Sequence, residues 1–130
     1  MKPRTKPDFK AIAKLIAARL TDQERGKSVA YLDEDLRPPG RVSIGGEEVK
    51  IDHPYVMAFI DERPGSNWMH SCRYLVIDPP SGQIQSIASS RPPLFGALPS
   101  TWRVVWKSRG IADWQLLRIL GSSPNEAPKR

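Results

Sequence analysis

The chain of 130 residues has one cysteine, Cys72, so it forms no internal disulfide and its fold has to rest on a packed core. A chain of this length can bury such a core unaided. Histidine is almost as scarce, with His53 and His70 the only two. The G-x-S-x-G, H-E-x-x-H and G-x-G-x-x-G patterns are missing, which removes the most recognisable hydrolase, metalloprotease and dinucleotide-binding signatures. No C-x-x-C pair occurs either, so His70-x-Cys72 with His53 or Asp78 falls short of a structural zinc set. Neither a metal nor a cofactor is expected. No apolar run approaches the roughly 18–20 residues of a membrane span, and MKPRTKPDFK lacks the apolar centre of a secretory signal. A cytoplasmic location is therefore expected. No internal repeat is present.

Proline is abundant, with thirteen copies. Pairs at Pro38 and Pro39, Pro79 and Pro80, and Pro92 and Pro93 stop regular elements and cut the chain into short pieces. The net charge of +6 is unevenly spread. Residues 1–27 carry eight basic and three acidic groups, residues 28–90 five and nine, and residues 91–130 seven and two, which gives +5, −4 and +5. Basic ends of this kind suit nucleic acid, anionic lipid or an acidic protein, or else neutralise the acidic middle within the fold.

Residues 1–6 read as a basic tail, 7–121 as a single α+β domain and 122–130 as a polar tail. Phe9, Ile12, Ala13, Ile16 and Leu20 recur at helical spacing and predict an amphipathic helix, with Thr5 and Asp8 as a capping pair. Thr21 and Glu24 repeat the capping signature and predict a second helix reaching toward Leu32. The acids Asp33, Glu34 and Asp35 then fall in a proline-rich loop, where they do not share a buried surface.

Val42 and Ile44, Gly45-Gly46, then Val49 and Ile51 make a hairpin pattern. The unbroken apolar run 55–60 fits a strand buried on both faces. Residues 61–67, DERPGSN, are turn-rich and polar, and 70–78 alternate as a strand that returns through a second turn to 83–88. The expected architecture is an antiparallel sheet of about four to five strands in sequential order, from hairpins 41–51, 55–78 and 72–88. The N-terminal amphipathic helix and a short C-terminal helix pack against it. That second helix starts at an Asp113 cap, runs over 114–120 and ends at Gly121. Residues 101–107 are expected as a strand with Trp102, Val104 and Trp106 on one side.

Four sets of residues bear on function. Cys72 with His70 or His53 would make a thiol nucleophile and base. Two residues along one strand are about 6.6 Å apart, however, and a simple hairpin puts His53 near Asp78 rather than Cys72. The adjacent acids Asp61 and Glu62 diverge on an extended chain and do not converge as acid and base. Trp102, Arg103, Trp106, Lys107 and Arg109 mix aromatic and basic groups as nucleic-acid surfaces do. Arg63, Asn67 and Trp68, in an exposed turn, resemble an anchor for another protein. With no complete catalytic set, a non-enzymatic module that binds a protein partner through this loop and the adjacent Arg/Trp surface is the preferred expectation. Nucleic-acid binding and cysteine-dependent catalysis are the alternatives.

Overall fold

A computed structural model describes residues 7–66, 70–91, 93 and 97–120. Thr5, Asn67, Trp68 and Gly121 lie outside the described residues, so the readings placed on them do too. The chain is a mixed α and β structure in which a five-stranded antiparallel sheet is layered against an N-terminal helix. Among the described residues no helix is long and apolar enough to cross a membrane.

Helix α1, Phe9–Arg19, forms where the apolar spacing predicts it and stops one residue before Leu20, the last periodic position. Asp8 is its cap, and its carboxylate accepts from the Ala11 amide at 3.1 Å. The Thr21 signature is also realised: the Thr21 hydroxyl accepts from the Glu24 amide at 3.1 Å, and Glu24 returns a carboxylate to the Thr21 amide at 2.8 Å. Helix α2, however, is only Asp22–Gly26. The chain then enters strand β1, Val29–Asp33, where helix had been expected. The Ser108 hydroxyl donates to the carbonyls of Glu24 and Arg25 and accepts from the Ser28 amide, so contacts from the far end of the chain terminate α2.

The remaining strands are β2 (Gly40–Ile44), β3 (Glu47–Ile51), β4 (Val56–Asp61), β5 (Cys72–Ile77), β6 (Ile84–Ser89), β7 (Ala97–Leu98), β8 (Trp102–Lys107) and β9 (Arg118–Ile119). The sheet order is β6-β5-β4-β1-β8, not sequential. β2 and β3 pair only with each other, so this hairpin lies outside the sheet and lends it apolar residues from one side. β1 and β4 sit at the centre and are buried along their whole length. That is why each lacks alternation.

The two faces bury separate clusters. Ile12, Ile16 and Leu20 of the α1 segment cover Ala30, Leu32, Ala58, Ile60, Leu75 and Ile77. On the other face Tyr31, Phe59 and Tyr74 form the centre, with Phe59 and Tyr74 rings 5.0 Å apart, and Ile44, Ile51 and Leu98 close over them.

Two expectations are corrected on the C-terminal side. Trp102 and Trp106 do not share a face, because the β1–β8 register shifts between Ala30 and Tyr31. Val105 is the extra residue of this bulge, so Trp102 and Val104 join one cluster while Val105 and Trp106 join the other. In place of a helix over 114–120 there is a single 3-10 turn, Asp113–Gln115, followed by β9, which runs parallel to β7. The Leu117 amide donates to the Tyr31 hydroxyl at 2.8 Å, and this bond across the chain displaces the helical one. Asp33 also departs from its expected loop. It is fully buried and bonded to Arg37, with Oδ1 left without a partner among the described residues.

Candidate functional site

The thiol set is dispersed. Cys72 is buried and its Sγ donates to the carbonyls of Ser89 at 3.4 Å and Arg91 at 3.5 Å. Burial, reinforced by Asp61 and Glu62, pushes this thiol up to about 12, the reverse of what a nucleophile needs. His70, also buried, places Nε2 2.8 Å from Asp61 Oδ1. His53 lies at the other end of β4, with Nδ1 2.8 Å from the Pro54 carbonyl and 3.9 Å from Asp78. It borders a cleft of about 390 Å³ shared with Arg19, Gln83 and Gln85.

The Trp/Arg set divides. Trp102 is 3% exposed and belongs to the core. Trp106 is half-buried beneath the Arg25 guanidinium, 5.9 Å from its ring centre. Arg103 bonds Glu34 at 2.8 Å, while Lys107 lies 3.8 Å from Asp113 and Arg109 is exposed. No two exposed aromatic rings stand side by side on this strand.

An aromatic residue that the sequence reading assigned to a helix takes the exposed place instead. Trp114 is 74% exposed. The polar loop after β4 is docked beneath it: Gln115 Nε2 donates to the Pro64 carbonyl at 3.1 Å, and a Cβ on Gly65 would come within 3.1 Å of the Trp114 ring. Gly65 has φ +84°, so this approach suits glycine on both counts. Arg63 lies two residues earlier in the same loop, its amide bonded to Asp61 Oδ1 at 3.0 Å. The loop that carries Arg63, and Lys107 through Asp113 at 3.8 Å, thus both adjoin the Trp114 turn.

On the opposite side of the loop, a cleft of about 520 Å³ is lined by Thr21, Gln23, Glu24, Lys27, Glu62, Arg63 and Ser71. Arg73 reaches it from the α1-facing side of β5. Its Nε and Nη2 donate to the two oxygens of Glu24 at 3.0 and 2.9 Å, and Nη2 and Nη1 also reach the Arg19 carbonyl and Ser86 Oγ. Glu62 Oε2 stands 3.8 Å from Arg73 Nε.

The two carboxyls diverge in character. Burial alone would raise both. For Glu24 the Arg73 bonds, with help from Glu62 and the Thr21 amide, outweigh burial and hold it below the ordinary carboxylate range. For Glu62 burial, followed by the neighbouring Glu24, holds it above that range. Sequence reading found neither Glu24 nor Arg73 as partners, which are 49 residues apart. The one local signal for the pair is a cation on the strand face that also presents Leu75 and Ile77, since a charge on a buried face calls for a counter-charge.

Comparison with protein-family models, curated proteins and solved structures finds no match to this chain.

Proposed function

We propose that this protein is a non-enzymatic interaction module that receives an acidic segment of a partner protein on Trp114, with Arg63 and Lys107 at the rim. The observation that carries the reading is the 74% exposure of Trp114 on a turn fixed by Pro64, Gly65 and Gln115. Covering the exposed part of a tryptophan side chain is worth roughly 3–4 kcal/mol at about 25 cal/mol per Å², enough to make it the anchor of a modest interface. Cations around such an anchor steer a partner of opposite charge and raise its association rate. A buried, unactivated Cys72 argues against the cysteine-dependent alternative. Burial of Trp102 and partial cover of Trp106 argue against base stacking along β8.

Photo-crosslinking tests the reading. A photoreactive phenylalanine at position 114 should capture a discrete protein, and one at Gln83 should not. The adduct should weaken with salt and disappear in a Lys107→Ala background. Adducts with nucleic acid, or a Trp114→Ala variant that loses thermal stability, would assign Trp114 another role.

A further inference from the structure

The cleft beside Glu62 holds charges of both signs, and among the described residues its acids are only partly matched by cations while its own cations are not paired. Glu24 has both oxygens taken, and Arg73 spends its donors on Glu24, Arg19 and Ser86. Glu62 stands 3.8 Å from Arg73, in ion-pair range but too far for a hydrogen bond, and its hydrogen bonds run to Ser71 and to a second carboxyl, Glu24, instead of to a second cation. On the same lining, Lys27 and Arg63 make no side-chain ion pair among the described residues. Thr21, Gln23 and Ser71 complete a polar wall.

A simple anion entering this space meets two carboxyls, and a simple cation meets Lys27 and Arg63. A molecule carrying both charges satisfies both sides. We propose that the cleft lined by Glu24, Lys27, Glu62 and Arg63 is a binding site for a small zwitterion of the α-amino acid class, with its ammonium on Glu62 and its carboxylate on Lys27 and Arg63. The volume of about 520 Å³ lies within the roughly 300–1,000 Å³ of small-molecule sites. Glu24, clamped by Arg73, keeps its charge and supports the ammonium side. The site shares Arg63 with the Trp114 reading but needs neither Trp114 nor Lys107, so a failure of crosslinking at position 114 leaves it standing.

A proton on Glu62 competes with the ligand ammonium. The groups around Glu62 are Glu24 and Lys27 from the α2 segment, Arg73 and Ser71 from the β5 side, and Arg63 beside it in the loop. Arg73 stays charged throughout, so affinity should rise with pH as Glu62 loses its proton and then level off.

The test is a nitrogen-15 NMR titration of the full chain with common L-α-amino acids, their α-amides and their N-acetyl forms. The expected result is shifts at Gln23, Glu24, Lys27, Glu62 and Ser71 with at least one free amino acid. Both blocked forms should bind about tenfold more weakly or worse. Glu62→Gln should abolish the pH dependence, and Lys27→Met should erase the preference for the free acid over its amide. No shifts at about 10 mM ligand, equal binding of a blocked form, or shifts confined to the His53 cleft would overturn the proposal. The blocked ligands act on the wild-type chain, so the answer stands even if a variant folds poorly.

Discussion

Replacing Arg73 by methionine keeps an apolar stem on β5 and removes the guanidinium that grips Glu24 at 2.9 and 3.0 Å. Glu24 and Glu62 are then left together without a cation between them. Breaking one side of a fully buried pair costs about 3–5 kcal/mol, and a hydrogen bond to a charged group contributes about 1.5–3 kcal/mol. Here the side chains of Arg73 and Glu24 retain 18% and 9% exposure, so water screens part of the effect. About 2–4 kcal/mol is the expected loss at neutral pH, or roughly 7–15 °C in the melting temperature of a domain this size.

The pH dependence gives the sharper test. In the wild type Glu24 is held below its ordinary value, so its contribution is present above that value and is lost as pH falls through the lowered one. Without Arg73 its carboxyl moves upward and joins Glu62, which is already raised. The folded variant then binds more protons than the unfolded chain just above the ordinary carboxylate range, so its stability declines as pH rises. The deficit between variant and wild type should therefore be smallest near about pH 4 and largest near about pH 7. Urea denaturation at the two pH values measures it. A deficit equal at both, or below about 1 kcal/mol throughout, would refute the charge argument and leave Arg73 as a packing residue.

Three further outcomes follow from the geometry. Gly45 has φ +59° and a Cβ there would collide with the Ser89 side chain, so Gly45→Ala should cost about 2–3 kcal/mol in chemical denaturation. Gly110→Ala, with φ +91° and open space, should cost only about 1 kcal/mol. Cys72, pushed up to about 12 and buried, should react with iodoacetamide about a thousandfold more slowly than a free thiol at pH 8, and at the ordinary rate in denaturant. Truncation to alanine should cost about 3–5 kcal/mol at Trp102, less at Trp106 and under about 0.5 kcal/mol at Trp114, and Trp114→Ala should remove part of the fluorescence that iodide quenches while Trp102→Phe should not.

The parts of the fold visible in the sequence are those with a local cause. Ile12 and Ile16 repeat at the helical period, Gly45-Gly46 supplies the positive φ angles of a tight turn, and residues 55–60 form the apolar run of a central strand. Where the cause is distant, local reading fails. β1 is a central strand with no alternation that follows a capping box, so locally it continues a helix, and Ser28 together with the distant Ser108 ends that helix. The spacing of Trp102 and Trp106 implies one face until the bulge at Val105 turns them apart. Asp113 looks like a helix cap, yet the Tyr31 hydroxyl and β7 capture the residues after it. For the cleft, Thr21-x-x-Glu24 located one carboxylate, while its partners on β5 and after β4 are joined to it only by the sheet.

Asp61 and Glu62 show what that sheet does with adjacent residues. Strand alternation sends Glu62 to the α1 side, into the cleft, and Asp61 to the other side, where Oδ1 meets His70 Nε2 and accepts the Arg63 amide. Asp61 thus clamps both ends of the loop that carries Arg63, and Arg63 borders the cleft while lying beside the Trp114 turn. If the loop is held in this way, Asp61→Ala should cost about 2–4 kcal/mol, because it removes two bonds to a buried charge. It should also weaken ligand binding at the cleft and crosslinking at position 114 together. Glu62→Gln should affect the cleft alone. Equal effects of the two variants on both surfaces would mean that the loop moves as one piece with Glu62, and that the division between the faces is not functional.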